Sequence, residues 1–275
     1  MKPAPFDYVY AETVREAHAV LTAQAEEACV LAGGQSLIPM LSMRLARPKV
    51  VIDIMRVRAL AEVGDDGQTL RIGATVRQAE LLRRADLRDK QPLLAMALPW
   101  VGHAQTRSRG TLCGSVAHAD PSAEIPLVLV ALEGVIELST RWRRRRVPAE
   151  TFFTGMMATA RRSDELIEAI LVPCRRPDTG YAFREFGRRH GDFAIVACAA
   201  LASPRGTRLA VGGVADRPVA RNFADLNGRA LEAALETFAW ELEARDDLHA
   251  TAAYRRTLVR RMGREMIEEA RRCRG

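Results

Sequence analysis

The feature that most constrains the fold is a pair of adjacent glycines, Gly33 and Gly34, directly after the apolar run 28–32. Glycine adopts positive φ values without a steric penalty, so consecutive backbone N–H groups can point into one concavity. Ser36 is placed to cap a helix predicted over 37–46, and a helix N-terminus favours negative charge. The segment therefore predicts a strand, a tight turn and a helix that together hold an anion. A plain turn between strand and helix is the alternative.

A second stretch bearing glycine and hydroxyl groups, Gly110–Ser115, lies about 80 residues further along the chain. It leads into a polar segment that contains His118 and Asp120. Neither stretch matches G-x-G-x-x-G or G-x-x-x-x-G-K-[ST], so neither a Rossmann fingerprint nor a P-loop is present. Two such loops could hold one elongated diphosphate from two sides. His118 and Asp120 are too few to bind a metal, and we interpret them as loop hydrogen-bonding groups.

These two stretches resemble the FAD loops of the medium, flavin-carrying subunit of molybdenum hydroxylases, the family of xanthine dehydrogenase and carbon monoxide dehydrogenase. The first FAD loop is matched by Ala32, Gly33, Gly34, Gln35, Ser36 and Leu37. The second is matched by Thr111, Leu112, Cys113, Gly114 and Ser115. The resemblance runs over nearly the whole chain. It departs from the family pattern at Gln35, where His is more familiar, and at Cys113, where Gly is commoner.

The resemblance implies that FAD binds non-covalently and that every residue of these two stretches contacts it. Their backbone N–H groups are expected to bind the two phosphates, since hydrogen bonds to a charged group are worth roughly 1.5–3 kcal/mol each. The hydroxyls of Ser36, Thr111 and Ser115 are expected to add direct bonds. Further contacts implied elsewhere are Val101 and Ile167 as apolar walls, Glu124 as a carboxylate that bonds FAD hydroxyls, Arg184 as a basic group near the flavin, and Phe193 as a ring over the isoalloxazine.

Each of those further contacts has an ordinary structural alternative. Val101, Ile167 and Phe193 are equally typical of a hydrophobic core. Glu124 would also suit the first turn of a helix, where a negative charge is favourable. The structure therefore has to show which of these side chains face one cavity.

The resemblance also implies an α+β fold. It consists of a two-lobed FAD-binding domain of the vanillyl-alcohol-oxidase (PCMH) type and a C-terminal α+β domain like that of the carbon monoxide dehydrogenase flavoprotein. Composition and periodicity place the lobes at 1–57 and 58–174 and the C-terminal domain at 175–275. Thr13, a helix cap, and the apolar runs predict a β-α-β-α-β order in the first lobe. In the second lobe, Thr75 is expected to cap a helix.

The charge pattern argues against a nucleic-acid partner. The net charge is +7, and all but three of the 41 basic residues are arginine. Nucleic-acid binding would need a basic stripe with a known fold or interleaved aromatic residues, and neither is found. The densest run, Arg141–Arg146, is interpreted as a solvated hairpin tip.

The cysteines limit where iron could bind. The five cysteines are widely scattered and form no C-x-x-C pair. Because iron–sulfur and zinc sites need clustered thiolates, no such site and no disulfide framework is expected in this chain. There is no apolar run near 18 residues and no signal peptide, so no transmembrane segment is expected. These features favour a cytoplasmic protein with reduced thiols.

The function implied by the resemblance is electron transfer. The expected partners are a large molybdopterin subunit, where substrate is oxidised, and a small subunit with two [2Fe–2S] clusters, in a dimer of heterotrimers. Electrons would pass from the clusters to FAD and on to NAD⁺, a quinone, another carrier or dioxygen. No catalytic acid–base residue is expected in this chain. The alternatives are a self-sufficient flavoenzyme of the vanillyl-alcohol-oxidase class and a non-enzymatic assembly protein that has lost FAD.

Overall fold

The first lobe is a small parallel sheet with helices between its strands. In this computed structural model, which describes residues 2–274, the lobe comprises β1 (Asp7–Tyr10), α1 (Val14–Gln24), β2 (Ala28–Leu31), α2 (Leu37–Ser42) and β3 (Val50–Asp53). The strand order is β1-β3-β2, with both pairs parallel. The central strand β3 is apolar and mostly buried because one of its faces packs in the main core and the other packs on α2. Thr13 caps α1 by accepting the N–H of Glu16, so the β-α-β-α-β prediction is confirmed.

The second lobe is built on an antiparallel sheet in the order β4-β5-β10-β6-β7. The central strand β10 is buried along most of its length, which explains its continuous apolar sequence. The elements are β4 (Val63–Asp65), β5 (Thr69–Gly73), α3 (Gln78–Leu82), α4 (Leu87–Lys90), α5 (Pro92–Ala97), α6 (Ala104–Arg109), α7 (Leu112–His118), α8 (Glu124–Ala131), β6 (Val135–Ser139), β7 (Arg144–Pro148), α9 (Ala149–Phe152), β8 (Phe153–Gly155), β9 (Ala158–Thr159) and β10 (Leu166–Pro173).

The C-terminal unit is a four-stranded antiparallel meander with two helices. Its elements are β11 (Gly180–Phe186), β12 (Val196–Ser203), β13 (Gly206–Gly212), β14 (Val219–Phe223), α10 (Gly228–Glu241) and α11 (Ala252–Arg272). One face of this sheet packs on α10 and α11, and the other packs on α5 and α8. Because both faces are covered, β12 reads as a run of small apolar residues with no alternation.

A single hydrophobic core connects the three units. It runs from the first lobe through the whole of α8 and reaches the inner face of the C-terminal sheet at Ala197, Ala199 and Ala210. Every residue of α8 is buried, so this helix is the axis against which the other elements pack. The units are therefore held in fixed positions around the space between them. Among residues 2–274, none of the helices combines the length and apolar character needed to cross a bilayer.

Two predicted helix caps are wrong. Thr75 donates its N–H to the carbonyl of Leu60 at 3.0 Å, which holds it outside the helix, and α3 begins only at Gln78. Ser36 makes no side-chain cap bond, because the carbonyl of Gly34 already takes the N–H of Ile38 at 3.0 Å and closes the turn. The helix predicted over 37–46 is also shorter and ends at Ser42.

The arginine run is only partly a hairpin tip. The turn between β6 and β7 is short, and Arg144, Arg145 and Arg146 belong to β7 itself. Their guanidinium groups pair with carboxylates on or next to the neighbouring strands: Arg144 with Glu168 at 3.3 Å, Arg145 with Glu165 at 2.6 Å, and Arg146 with Glu137 at 2.9 Å. The solvated hairpin tip is thus limited to residues 141–143; Arg144 and Arg146 lie on the strand and stay exposed, and only Arg145 is half-buried.

Candidate functional site

A cavity of about 550 Å³ lies where the two lobes and the C-terminal unit meet. Its walls come from the end of β2 and the following turn, from the start of α7, from the start of β10, and from the loop before β12. Its volume falls within the range typical of sites for small molecules and cofactors. The segments singled out from the sequence therefore face one common space.

The two glycine-bearing turns touch each other at this cavity. A Cβ on Gly33 would lie 2.2 Å from the carbonyl oxygen of Arg109 and 2.7 Å from the Cα of Gly110. Real side chains do not tolerate such distances, so the contact requires glycine. Gly34 has a φ of +74°, a left-handed conformation that favours glycine for a separate reason. The sequence prediction that two distant turns form one site is thus met in the geometry.

The first turn offers backbone donors that nothing in the protein uses. Within residues 2–274, the N–H groups of Gly34, Gln35 and Ser36 donate to no protein acceptor, and all three residues line the cavity. The Gln35 side chain is exposed and folds back to the carbonyl of Gly33 at 3.4 Å. Unsatisfied donors on a concave wall suit a group that only accepts hydrogen bonds, such as a diphosphate.

The second stretch is the start of a helix and not a loop. Thr111 is extended, and its hydroxyl accepts the N–H of Gly114 at 3.0 Å, so α7 begins at Leu112. Cys113 therefore has an ordinary helical backbone and carries no strain. Its thiol is fully buried, and burial raises its pKa to about 12. The substitution of Cys at a commoner glycine position is consequently harmless to the backbone and leaves an unreactive thiol.

Most of the sequence-predicted site residues line this cavity. They are Ala32, Gly33, Gly34, Gln35, Ser36, Leu37, Val101, Thr111, Cys113, Gly114, Ser115, Glu124, Ile167 and Phe193. Val101 and Ile167 are almost fully buried, whereas Phe193 is 64% exposed and is therefore not a core residue. The exposed Phe193 marks the open rim of the cavity.

Leu112 and Arg184 do not line the cavity. Leu112 is completely buried in the core around α7. Arg184 lies on the outer face of β11, where its guanidinium pairs with Glu265 and Glu269 of α11. Because neighbouring side chains of a strand point to opposite faces, the next residue, Glu185, is the one that turns inward and is buried.

Two buried carboxyl groups lie near each other, and one of them, Glu124, is on the cavity wall. Burial raises the pKa of Glu124, the first residue of α8, to about 7. Burial and the neighbouring charge of Glu124 raise the pKa of Glu185 to about 8. No arginine or lysine within residues 2–274 forms an ion pair with either group. Sequence reasoning missed Glu185, whose only signal was its place beside Arg184 on a strand.

Two residues that line the cavity, Arg161 and Gln78, were also missed by sequence reasoning. Arg161 is the only arginine or lysine among the described residues that line the cavity. Its Nη1 donates to the carbonyls of Arg162 at 2.9 Å and Glu165 at 2.8 Å, which fixes the guanidinium in place without a carboxylate partner. Gln78 is a buried glutamine beneath the second turn. Within residues 2–274, no group of three or more His, Cys, Asp or Glu side chains is arranged to hold a metal ion.

Comparison with protein-family models decides which cofactor this cavity serves. The FAD binding domain in molybdopterin dehydrogenase matches residues 4–175, and the CO dehydrogenase flavoprotein C-terminal domain matches residues 181–270. The chain belongs to the FAD-binding medium subunits of the molybdenum hydroxylases. The resemblance read from the two turns is thereby confirmed.

Medium subunits of this family match the chain over its full length. The nicotine 6-hydroxylase medium subunit of Paenarthrobacter nicotinovorans is 35% identical and the match covers 98% of this chain and 99% of that one. The carbon monoxide dehydrogenase medium chain of Hydrogenophaga pseudoflava is 32% identical, with 98% of each chain covered. A solved chain of carbon monoxide dehydrogenase from the same organism superposes with a TM-score of 0.93, at 31% identity and 100% coverage of both chains. The predicted α+β fold class is confirmed.

FAD is thus the cofactor of this medium subunit, and the residues present fit it. The backbone N–H groups of the first turn have no protein acceptor within residues 2–274, and the close approach at Gly33 holds this turn against the second stretch. A group rich in hydrogen-bond acceptors, such as a diphosphate, satisfies these donors. The medium subunits of this family are parts of oxidoreductases, in which molybdopterin belongs to another subunit. The chain is accordingly an oxidoreductase subunit.

Proposed function

We propose that this chain holds FAD non-covalently and passes electrons from the [2Fe–2S] clusters of a partner subunit to NAD, a quinone or another acceptor. The proposal rests on the geometry of the cavity. The first turn, whose backbone N–H groups have no acceptor in the part of the chain that the structure describes, touches the second stretch there, and the cavity is open at Phe193. An electron-transfer subunit needs a firmly bound cofactor, one end of which is accessible to the electron acceptor. When bound, FAD supplies exchange of one or two electrons, and the protein supplies position and electrostatics.

Different residues of the cavity wall are proposed to contact different parts of FAD. The backbone N–H groups of Gly34, Gln35 and Ser36 are proposed to bind the diphosphate, with Arg161 as the one arginine or lysine that lines the cavity within residues 2–274. The apolar, buried Val101 and Ile167 exclude water from the planar rings. The other cavity-lining residues of the two stretches are proposed to complete the FAD-binding site. Arg184 and Leu112 are outside the cavity and are not proposed to touch FAD through their side chains.

Two further residues are proposed to act on the flavin side. Glu124 is proposed to bond FAD hydroxyls, and its raised pKa of about 7 lets it act as donor or acceptor near neutral pH. Phe193 is proposed to lie over the isoalloxazine at the open rim, because it is the exposed aromatic ring among the wall residues.

The proposed assembly has a large molybdopterin subunit and a small subunit with two [2Fe–2S] clusters, as a dimer of heterotrimers in the cytoplasm. Support for iron in another chain comes from the scattered cysteines, which offer no clustered thiolate set. Within this chain we propose domain boundaries at 57/58 and 174/175, in the short connections between the three sheets.

The test is to purify the chain alone and with its proposed partners. Alone, it is expected to show flavin absorbance, to release intact FAD on unfolding, and to catalyse no hydroxylation. With partners, molybdenum, iron and flavin are expected to elute as one complex. Hydroxylation of substrate by the single polypeptide would refute the proposal, and so would a preparation in which iron never accompanies the flavin.

The second candidate is a self-sufficient flavoenzyme of the vanillyl-alcohol-oxidase class. The observation that favours it is Glu124, a cavity carboxyl with a pKa of about 7 that could serve as a proton donor or acceptor. This candidate predicts rapid reduction of the flavin by a small organic substrate when no other subunit is present. The electron-transfer proposal predicts no such reduction, so a stopped-flow absorbance measurement on the single chain separates the two.

A further inference from the structure

Gln78 carries a polar atom that the protein leaves without a partner. The residue lines the cavity and is 4% exposed, yet within residues 2–274 its Oε1 makes no hydrogen bond. A buried carboxamide oxygen without a donor costs free energy, so such atoms in folded proteins usually have a reason. A buried acceptor without a partner, on a residue that lines a cofactor cavity, points to a donor on the cofactor.

The other polar atoms of Gln78 fix its orientation. Its backbone N–H donates to the carbonyl of Gly110 at 2.8 Å, and its Nε2 reaches the carbonyl of Thr111 at 3.5 Å. The reverse orientation would set Oε1 against the Thr111 carbonyl, which places two acceptors together. Gly110 permits the arrangement, since a Cβ there would lie 3.0 Å from Oε1. The acceptor is therefore held at the junction of the two turns.

The chemistry of FAD limits which of its groups Oε1 can bind. The diphosphate carries only acceptors at neutral pH, so it cannot donate to Oε1. The nearest donors along the dinucleotide are the hydroxyls on either side of the diphosphate, on the ribityl chain and on the adenosine ribose. We propose that Gln78 Oε1 accepts a hydrogen bond from one of these flanking hydroxyls and so fixes where the diphosphate sits between the two turns.

The variant Gln78→Met tests this directly in the full chain after removal of FAD. Methionine keeps the length of the side chain and removes both polar ends. We expect the affinity for FAD, followed by quenching of flavin fluorescence, to fall about tenfold. The melting temperature of the FAD-free chain is expected to stay the same or rise, because an unpaired buried acceptor has been removed.

Two FAD analogues identify the hydroxyl. One has hydrogen in place of the ribityl hydroxyls, and the other has hydrogen in place of the ribose hydroxyls. We expect the tenfold effect of Gln78→Met to vanish with one analogue and to persist with the other. The hydroxyls that are missing from the analogue with which the effect vanishes include the one that donates to Gln78 Oε1. An equal loss with FAD and both analogues, or no loss with FAD, would overturn the proposal, because Gln78 would then act only through the shape of the turn or not at all.

Gln91→Met is the matched control. Gln91 is also a fully buried glutamine beside a helix start, but both ends of its carboxamide are used: Nε2 donates to the Pro173 carbonyl at 2.6 Å, and Oε1 accepts the N–H of Leu93 at 3.1 Å. This variant is expected to lower the melting temperature and to leave FAD affinity unchanged. The two glutamines should therefore give opposite results, which a general effect of burying methionine would not produce.

Discussion

The two stretches that meet at the cavity are held in place by different physical means. In the first turn, Gly33 makes direct contact with the backbone at Arg109 and Gly110, and Gly34 has a left-handed φ. In the second stretch, the backbone is helical from Leu112 onward. The first turn is thus fixed by contact and conformation, whereas the second is fixed by the Thr111 cap.

This difference explains which departures from the family pattern the chain tolerates. Cys113 stands in a helical turn that accepts any small side chain, so a residue other than glycine fits there. Gln35 has an exposed side chain, and its contribution to the turn is its backbone N–H. By contrast, no side chain fits at Gly33. The following predictions test the contrast in order of decreasing effect.

Gly33→Ala is expected to have the largest effect. The new methyl group would meet the Arg109 carbonyl oxygen at 2.2 Å, so the two turns must separate. We expect a loss of stability of at least about 3 kcal/mol, the upper range for overpacking, together with loss of FAD binding. Urea unfolding and flavin absorbance of the purified variant measure both.

Gly64→Ala is the control for that substitution. A Cβ on Gly64 would meet only the Cβ of Arg71, at an ordinary 3.8 Å, so stability and flavin content should stay close to those of the unmodified chain. If Gly33→Ala behaved like this control, the direct contact between the turns would be wrong.

The next effect is a pH dependence that arises beyond the second stretch, at the start of α8. The first turn has no titratable side chain, while the second leads to Glu124, whose pKa is raised by burial from 4.5 to about 7. Between these values the folded FAD-free chain binds more protons than the unfolded chain, so its stability falls as pH rises. The loss is on the order of 3 kcal/mol between pH 4.5 and 7.

Glu124→Gln should remove the part of that dependence that comes from Glu124 and leave the part that comes from the buried Glu185, whose pKa is also raised. The free energy of unfolding, measured in urea at pH 5 and at pH 7.5, should change less between the two pH values in the variant than in the parent chain. Glu268→Gln is the control, since Glu268 is an exposed partner of Arg264 and should leave the pH dependence unchanged. A parent chain whose stability rises steadily from pH 5 to 7.5, in parallel with Glu124→Gln, would contradict the assignment.

The contrast between the turns also shows how far the sequence predicts the fold. The first lobe was predictable because its signals are local: apolar strands, a Thr13 cap and a glycine pair. Strand β7 was missed because Arg144–Arg146 are stabilised by Glu137 on β6, Glu168 on β10 and Glu165 directly before β10. No pattern within a single segment of the sequence indicates these arginine–glutamate ion pairs.

The same limit applies to the candidate site. The two turns were found because their glycines and hydroxyls stand together in the sequence. Gln78 and Arg161 were not found, because each faces the site only through contacts made in the folded chain. Arg184 was misplaced for a related reason, since a strand puts neighbouring side chains on opposite faces and the sequence alone does not say which face is inward.

Removal of the cap should have a moderate effect. Thr111→Val deletes the hydroxyl that accepts the N–H of Gly114 and keeps the branched shape. We expect a loss of about 1 kcal/mol of stability, the usual value for an N-cap, and weaker FAD binding. Thr13→Val is the matched control, because Thr13 caps α1 in the same way but away from the cavity. It should cost similar stability with no change in FAD affinity, as measured by flavin fluorescence titration.

Gln35→His should have the smallest effect on stability, since the side chain is exposed. It would restore the more familiar residue and give the first turn the titratable group that it lacks. A histidinium beside the diphosphate favours binding, so FAD affinity should increase as the pH falls through about 6.5, by a factor of about three to five. Gln68→His, at an exposed turn outside the cavity, should show no such trend. If FAD affinity of Gln35→His were as independent of pH as that of Gln68→His, the position of the diphosphate at the first turn would be wrong.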